Sequence, residues 1–466
     1  MNRAISDVWA ALGADPGLPE RVAYHRVPGL LPSRLPVPEL ARATVAACAL
    51  AAAELAATRG GGAVPRVTVD DAAVAAAFRS ERYVSLDGRP GGGFAPLSRF
   101  WRTADGWVRT HANYPHHRDR LLTALGLPAD ADGAAVAREL AGRRAPEVEE
   151  AVYAAGGLAV AVRDAEAWAA GQGAPAGGRP ALDLERTGDA PGPPARSAAG
   201  PAGAGAPCAG VRVLDLTRVL AGPVATRTLA LLGADVLRVD APGLPESQEA
   251  HDDTGSGKRS TLLDLRRGAD RRVFEELLSA ADVVVTGYRP GALDRFGLAP
   301  GALAERRPGL VVARLSAWGG PGPWGGRRGF DSLVQAATGI ALAEGGGAEP
   351  GALPAQALDH GTGYLVAAAV LRALTERHRS GGTWRVEAAL TRTAHLLTHG
   401  TDREDPAPGA SPGTGRGGAP APRLLERDTP RGRLRYAPSP VSYEGGPRDW
   451  ARPPGRWGAD EPGWRP

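Results

Sequence analysis

Short apolar runs alternate with longer helical stretches between residues 211 and 317, and this alternation predicts strands and helices in turn. Between the first two runs, the segment PVATRTLALLGA predicts a helix with Pro223 in its first turn, where proline is well tolerated. Strand and helix in alternation favour an open, mostly parallel α/β sheet with right-handed crossovers. Four runs have the length and the β-branched content of buried strands: VRVLDL (211–216), DVLRVD (235–240), ADVVVTG (281–287) and GLVVARLSA (309–317).

A longer apolar run, AQALDHGTGYLVAAAVLRAL (355–374), predicts a buried helix with one acidic residue, Asp359, near its start. An aspartate in that place can be a plain helix cap, worth about 1 kcal/mol, or a carboxylate presented for chemistry. The pattern alone leaves both interpretations open. Nearer the N-terminus, the sequence predicts an alanine-rich helix over 37–58, then a strand in GWVRTHA and a helix in HHRDRLLTALG.

Two segments are too rich in glycine, proline and alanine to predict packed structure, and they read as linkers or loops. They cover residues 171–209 and about 405–422. The chain is therefore expected to have four parts: an N-terminal module (1–170), a linker (171–209), a central module (210–400) and a loop-rich tail (401–466).

Composition and charge exclude several function classes. The 55 basic residues nearly balance 51 acidic ones, and no basic run is interleaved with aromatics, so nucleic acid is not an expected partner. Cys48 and Cys208 cannot form a metal site by themselves and do not indicate a disulfide framework. The N-terminus lacks the apolar core of a signal peptide, and the apolar stretch VAACALAAAELAAT is too short and alanine-rich to span a bilayer. We expect a cytoplasmic protein without a membrane partner.

Residue types that this composition disfavours draw attention where they occur. Lys258 is the one lysine of the chain, and Asn113 is one of two asparagines. In a chain whose codons favour arginine and alanine, such residues are candidates for functional positions.

Several familiar sites are missing or incomplete. Asp240 ends the second predicted strand, where a dinucleotide-binding fold would hold a ribose, but the preceding turn lacks G-x-G-x-x-G. His111, His116 and His117 match no usual metal-ligand spacing, so a structural or ligand-lining loop is favoured there. No metal and no permanently bound cofactor is expected.

A series of motifs in the central module resembles the class III CoA-transferase (CaiB/BaiF) family, which includes formyl-CoA and carnitine CoA-transferases and α-methylacyl-CoA racemases. The family's fold is a Rossmann-like, mostly parallel large domain with a smaller α/β domain, and its members are dimers whose chains interlock. The resemblance therefore implies a homodimer. The matching segments occur in order at 210–243, 257–266, 281–298, 329–339, 357–363 and 384–397.

The resemblance implies a role for Asp359, which matches the nucleophile of the family's D-x-x-[ST]-G element. It implies a CoA-transferase that moves CoA between carboxylic acids through an acyl-aspartyl anhydride and an aspartyl-CoA thioester, with acyl-CoA and a carboxylic acid as its partners. A helix N-terminus favours negative charge, so we expect the carboxylate to be ionised as well as to cap its helix.

The resemblance also implies CoA contacts, and it includes two departures from the family pattern. Gly287 stands where many members have asparagine, and Ala241 where some have arginine. The contacts implied for CoA are Val219, Leu220, Lys258, Leu263 through Arg266, Tyr288, Arg289 and Arg295.

Two alternatives to the transferase remain. A non-catalytic acyl-CoA-binding or partner subunit is one, because the N-terminal module resembles the second half of a family domain placed first. There a glycine loop, Gly91, Gly92 and Gly93, is expected to cover Asp359, so that the two modules form one site. A racemase is the other, and it is disfavoured because Phe330 stands where that branch has a proton-transferring histidine.

Overall fold

The computed structural model of the chain describes residues 3–171, 179–192, 205–320, 322–346, 349–403 and 421–465. The helices of the N-terminal part are α1 (Arg3–Ala11), α2 (Val37–Gly60), α3 (Asp71–Ala77), α4 (Ser80–Tyr83), α5 (Pro115–Leu125), α6 (Gly133–Ala141), α7 (Ala145–Ala154) and α8 (Ala165–Gly171). Its strands are β1 (Val22–His25), β2 (Val67–Asp70), β3 (Ser85–Leu86), β4 (Arg89–Pro90), β5 (Phe100–Arg102), β6 (Trp107–Thr110), β7 (Ala159–Ala161) and β8 (Leu182–Gly188).

The later part of the chain continues the numbering. Its strands are β9 (Arg212–Leu216), β10 (Asp235–Asp240), β11 (Arg259–Leu262), β12 (Val283–Thr286), β13 (Val311–Ser316), β14 (Thr383–Ala389), β15 (Leu425–Thr429) and β16 (Gly432–Tyr436). Its helices are α9 (Ala221–Leu231), α10 (Gln248–Thr254), α11 (Gly268–Ser279), α12 (Pro300–Arg306), α13 (Asp331–Ala337), α14 (Ile340–Gly345), α15 (Ala357–Ser380) and α16 (Leu390–His395).

A seven-stranded sheet organises the larger part of the molecule, with the strand order β11-β10-β9-β12-β13-β14-β8. Strands β9 to β14 are parallel, and counted from β9 their order is 3-2-1-4-5-6, which is the Rossmann arrangement. The predicted strands over 211–216, 235–240, 281–287 and 309–317 are present as β9, β10, β12 and β13. The expected fold class is confirmed: mixed α/β with a large, parallel-rich sheet.

The seventh strand corrects the linker prediction. Strand β8 lies inside the segment 171–209 and pairs antiparallel with β14, with Leu182 opposite Ala388. The neighbouring residues 172–178 and 193–204 lie outside the described residues, as does most of the second predicted loop, 405–422. In the tail, β15 and β16 join β3 and β4 in a four-stranded sheet, so the expected loop-rich tail also contains paired strands.

The core of the large domain crosses the expected boundary between modules. Helix α15 is buried on nearly all sides because it is enclosed by the sheet, by α9 and by α2 from the N-terminal part. Gly363 permits the close approach of α9, since a Cβ there would lie 2.6 Å from the Ala221 carbonyl oxygen. Helix α2 is 24 residues long, more than was expected of its apolar stretch, and apolar enough to cross a membrane by length and composition, but 94% of its most apolar window is buried inside the structure.

A smaller α/β domain lies between residues 97 and 161. It consists of the three-stranded sheet β5-β6-β7 with α5, α6 and α7 packed around it. Its own apolar core includes Leu121, Val136, Leu140 and Val148, all fully buried. Helix α5 begins at the segment that contains the three histidines, and this placement brings part of the small domain over the carboxyl edge of the large sheet.

Candidate functional site

A cavity of about 600 Å³ opens at the carboxyl ends of the parallel strands. Leu216 at the end of β9, Val239 in β10 and Leu315 in β13 form part of its floor. The reversal of strand order lies between β9 and β12, and ligands of Rossmann-type sheets bind at such a reversal. The small domain supplies the opposite wall through Tyr114, His116 and His117. The cavity is therefore built from both parts of the chain.

Most of the residues that the sequence proposed for the site meet at this cavity, but five do not line it. Leu220 is the N-cap of α9, Lys258 is buried beneath the floor, and Gly91, Gly92 and Gly93 follow strand β4 without lining the cavity. The proposed residues that do line the cavity are Asp359, Val219, Leu263, Arg266, Tyr288, Arg289 and Arg295.

Asp359 is the third residue of α15, and its side chain lies on the cavity wall with 7% of the residue exposed. The predicted capping role is wrong. Asp331, at the start of α13, supplies the cap instead, because its Oδ2 accepts the backbone N–H groups of Leu358 at 2.9 Å and Asp359 at 3.0 Å. Gln335 donates to the other oxygen of Asp331. The side chain of Asp359 is thereby left for the cavity.

The surroundings of Asp359 oppose its ionisation, whereas the helix N-terminus was expected to favour it. Burial, the Asp331 carboxylate and the Glu81 carboxylate raise the pKa of Asp359 well above its usual range. Burial likewise raises the pKa of Asp331 to about 6, although three hydrogen bonds oppose the shift. Glu81 comes from the N-terminal part and contacts His360 at 3.2 Å. The helix terminus therefore does not by itself keep Asp359 ionised, because nearby carboxylates and desolvation outweigh it.

We expect Asp331→Asn to lower the pKa of Asp359 and to extend activity to more acidic pH. The substitution removes the nearest negative charge, while the asparagine oxygen can still accept the two backbone N–H groups. Its amide nitrogen would face the donating nitrogen of Gln335, so we also expect a loss of roughly 1–3 kcal/mol of unfolding free energy. The acid limb of the pH–rate profile, compared with that of the wild type, measures the shift, and an unmoved limb would contradict the coupling.

The loop between β9 and α9 carries local strain. Val219 has a φ of +70°, a left-handed conformation that a β-branched residue rarely adopts, and its side chain lines the cavity. The loop is held at its start, where Asp215 Oδ1 accepts the Thr217 backbone N–H at 3.0 Å and the Thr217 hydroxyl. Strain that surrounding contacts maintain next to a cavity is typical of ligand-binding loops.

Lys258 is the support of this loop rather than a ligand contact. Its side chain is fully buried, and Nζ donates to Asp215 Oδ2 at 3.0 Å, to the Pro223 carbonyl at 2.9 Å and to Thr226 Oγ1 at 2.6 Å. The implied CoA contact is not present in this structure, because Lys258 does not line the cavity. Burial lowers the pKa of Lys258 to about 8 despite the neighbouring Asp215, and the ammonium is still mostly protonated at neutral pH.

The cavity is electropositive. Arg289, Arg295 and Arg328 line it, and within the described ranges none of the three has a carboxylate partner. Burial, Arg289 and Arg120 lower the pKa of Arg328, as expected when cations are gathered without an anion. Arg266 differs, because Asp264 accepts from it at 2.8 and 2.9 Å. An anionic ligand would complete this arrangement.

The glycine triplet and Asn113 contact other parts of the protein and do not line the cavity. Gly91 lies against Val84 of its own loop, and Asn113 Oδ1 accepts the Ala95 backbone N–H at 3.0 Å. The triplet does not line the cavity that contains Asp359, so the expectation that it covers Asp359 is not met in this structure. The small domain reaches the cavity through the start of α5 instead, a segment that the sequence proposed only as structural or ligand-lining.

Phe330 and Asp240 complete the walls. The ring of Phe330 stacks on that of His111, with centroids 3.7 Å apart. Asp240 also lines the cavity, but its carboxylate already accepts from Trp457 Nε1 at 2.9 Å and pairs with Arg238 at 2.7 Å.

No cluster of three or more histidine, cysteine or acidic residues suited to a metal occurs in the described part of the chain.

Sequence analysis missed Tyr114, Asp331 and Arg328. Asp331 lies within the matching segment 329–339 and Arg328 directly precedes it, so the signal was present. Tyr114 gave no local signal, because its position depends on how the small domain packs: its hydroxyl donates to Glu246 at 3.0 Å, and Arg218 lies over its ring.

Comparisons with known proteins agree with the motif resemblance. The sequence model of CoA-transferase family III matches residues 208–422. A probable fatty acyl-CoA transferase of Mycobacterium tuberculosis is 35% identical over 219 residues, which are 41% of this chain and 55% of that protein. A formyl-CoA:oxalate CoA-transferase of Rhodopseudomonas palustris is 32% identical over 187 residues, 37% of this chain and 44% of that protein. The chain spans about half the length of these curated relatives.

A solved structure gives a further comparison. The crystal structure of a CAIB/BAIF family protein from Brucella suis is 30% identical, covers 41% of this chain and 56% of that one, and has a TM-score of 0.38. The family resemblance inferred from the motifs is confirmed by the sequence match over 208–422.

Proposed function

From the membership of residues 208–422 in CoA-transferase family III, we propose that this protein transfers CoA from an acyl-CoA to a second carboxylic acid, with Asp359 as the nucleophile. The observation that carries the proposal is the position of Asp359. Its carboxylate lies on the wall of a cavity that also presents three arginines with no acidic partner among the residues that the structure describes. A reactive carboxylate can attack a thioester, and a cationic cavity can hold the phosphates of CoA.

The proposed reaction proceeds by two exchanges at Asp359. Its carboxylate attacks the thioester carbonyl, the C–S bond breaks, and CoA leaves as a thiolate while an acyl-aspartyl anhydride forms. The thiolate then attacks the aspartyl carbonyl and releases the donor acid, which leaves an aspartyl-CoA thioester. The acceptor carboxylate attacks this thioester and displaces the thiolate, and the thiolate takes the acceptor acyl group from the new anhydride, which restores Asp359.

The residues around Asp359 account for parts of this cycle. Asp331 fixes the start of α15 through two backbone hydrogen bonds, so the position of Asp359 is set independently of its own side chain. Val219 and Leu263 contribute apolar surface to the same cavity, which suits the uncharged arm of CoA. The elevated pKa of Asp359 strengthens its basicity, and hence its nucleophilicity once ionised.

Mass spectrometry of isotope transfer tests the proposal directly. In the proposed cycle, one oxygen of the acceptor acid becomes the bridging oxygen of the anhydride and remains on Asp359. Incubation with a panel of acyl-CoAs and ¹⁸O-labelled acids should therefore place ¹⁸O in the peptide that contains Asp359, and trapping should reveal a CoA adduct there.

Two results would contradict the proposal. Transfer without label in Asp359 would indicate direct attack of the acceptor on the thioester. Tight CoA binding, with neither label nor transfer for any donor in the panel, would favour the acyl-CoA-binding subunit instead. Unlabelled acid with labelled water is the matched control for hydrolysis.

A further inference from the structure

The wall opposite the sheet contains a polar side chain with no partner. His117, from the small domain, is 4% exposed and lines the cavity. Its Nδ1 is buried and makes no hydrogen bond, and neither ring nitrogen has a hydrogen-bond partner among the residues described in the structure. A buried polar group without a partner is costly, and a binding role is one of the common explanations.

Neighbouring rings fix the orientation of His117. Its centroid lies 4.1 Å from that of His116, 5.5 Å from Tyr114 and 5.9 Å from Phe330, each near edge-to-face. It is the third residue of α5, and its backbone N–H donates to the Tyr114 carbonyl at 2.9 Å. Since Nδ1 is shielded, Nε2 is the nitrogen through which the ring can meet a bound molecule.

The surroundings of His117 favour an anionic oxygen. Burial, the neighbouring imidazoles of His116 and His111, and the cations Arg328 and Arg120 lower the pKa of His117 to about 3, so its imidazole is neutral. A neutral imidazole with its proton on Nε2 is a hydrogen-bond donor. The guanidinium groups of Arg120 and Arg328 donate to the Gly156 carbonyl, at 3.1 and 3.4 Å, and have no acidic partner among the described residues. A ligand oxygen with negative charge would meet both a donor and a positive potential.

The negatively charged oxygen near His117 could come from a phosphate of CoA or from the carboxylate of the acceptor acid, and the position of His117 favours one of them. Its ring contacts Phe330, and the next residue, Asp331, holds the backbone of Asp359 at 3.0 Å. His117 and Asp359 therefore line the same cavity, and Phe330 and Asp331 connect the two walls on which they lie. The phosphates of CoA are separated from the thioester by the extended pantetheine arm, so the carboxylate of the acceptor acid is the better match.

We propose that His117 binds and orients the carboxylate of the acceptor acid opposite Asp359 through an Nε2–H hydrogen bond. This inference rests on the proposed CoA transfer and adds to it a substrate-contacting residue from outside the family match. The part of the chain before residue 208 would then supply acceptor recognition, while residues 208–422 supply the nucleophile.

Steady-state kinetics of two substitutions test this role. We expect His117→Phe, which keeps a ring of similar shape, to raise the KM for the acceptor acid about tenfold or more. The KM for the acyl-CoA donor should stay within about twofold of the wild type. His117→Gln, whose amide nitrogen can reach the position of Nε2, should recover most of the loss. His25→Phe, at an exposed histidine outside the cavity, is the matched control. Equal changes in both KM values, or no change in either, would overturn the proposal.

A binding experiment separates this inference from the proposed function. The nine histidines are labelled with ¹³C at Cε1, and the His117→Phe spectrum assigns the signal of His117. Acetate and succinate should shift that signal, whereas 3′,5′-ADP, which carries phosphates of CoA, should leave it in place. A shift with 3′,5′-ADP alone, or with no probe, overturns the assignment. If the acids shift it but no transfer is found, the carboxylate site stands and the transferase function fails.

Discussion

Asp359→Asn is expected to abolish CoA transfer and to raise the melting temperature of the protein. Removal of a covalent nucleophile typically lowers kcat by a factor of about 10⁴ or more. The gain in stability follows from the raised pKa of Asp359, because a buried carboxylate near Asp331 and Glu81 destabilises the folded state when it is ionised. Affinity for CoA should stay within about tenfold, since the proposal assigns the phosphates of CoA to the arginines rather than to Asp359.

The raised pKa of Asp359 determines how the stability gain of Asp359→Asn depends on pH. A carboxyl whose pKa is raised in the folded state binds its proton more tightly there than in the unfolded chain, where the pKa is near 3.9. Its stabilising contribution is present below that value and is lost as the pH rises through the folded pKa. Asparagine carries no such charge, so the increase in melting temperature should be a few degrees at pH 7–8 and should shrink towards pH 4.

Calorimetry of the wild type and the variant between pH 4 and pH 8 measures this difference. Asp428→Asn, at an exposed position on β15, controls for the loss of one negative charge. Substantial turnover by folded Asp359→Asn protein would show that another group is the nucleophile. A lower melting temperature at neutral pH would show that the carboxylate is stabilised by contacts absent from this structure.

The fold could be predicted where local sequence determines local structure. The strands β9, β10, β12 and β13 are short, β-branched and buried on both faces, which gives them a strong apolar signal. Strand β8 gave no such signal, because it lies at the sheet edge and its LDLERTG sequence alternates polar residues on a half-exposed surface. Its pairing with β14 joins residues almost 200 positions apart, and local pattern contains no information about such a contact.

In the candidate site, too, residues in local motifs could be predicted, whereas residues placed by contacts between distant segments could not. Asp359, Arg289 and Arg295 were found through the family resemblance, because each lies in a motif whose residues are close together in the sequence. The misassigned residues depend on packing between distant segments: Lys258 reaches Asp215 beneath the floor, and Asp331 takes the capping role at α15. The small domain approaches through His117 rather than through the glycine triplet, and only the three-dimensional arrangement distinguishes these possibilities.

Lys258→Met is expected to cost about 3–5 kcal/mol of unfolding free energy, because it leaves the fully buried Asp215 without its ionic partner. Methionine fills the volume of the lysine stem, so the loss reports charge and hydrogen bonding rather than a cavity. The loop that begins at Thr217 should loosen as well, since Asp215 holds its first residue. We therefore expect a higher KM for acyl-CoA, as Val219 in that loop lines the cavity.

Urea denaturation of a double-mutant cycle tests this account. Lys258→Met combined with Asp215→Asn removes both charges, and the asparagine can still accept from Thr217, so the double variant should be more stable than Lys258→Met alone. Arg144→Met is the control, because it removes a cation whose pairing with Asp105 is largely exposed and should cost less than about 1 kcal/mol. If Lys258→Met is as stable as the control but loses transfer, the lysine acts on the substrate, and its burial beneath the cavity floor must change when acyl-CoA binds.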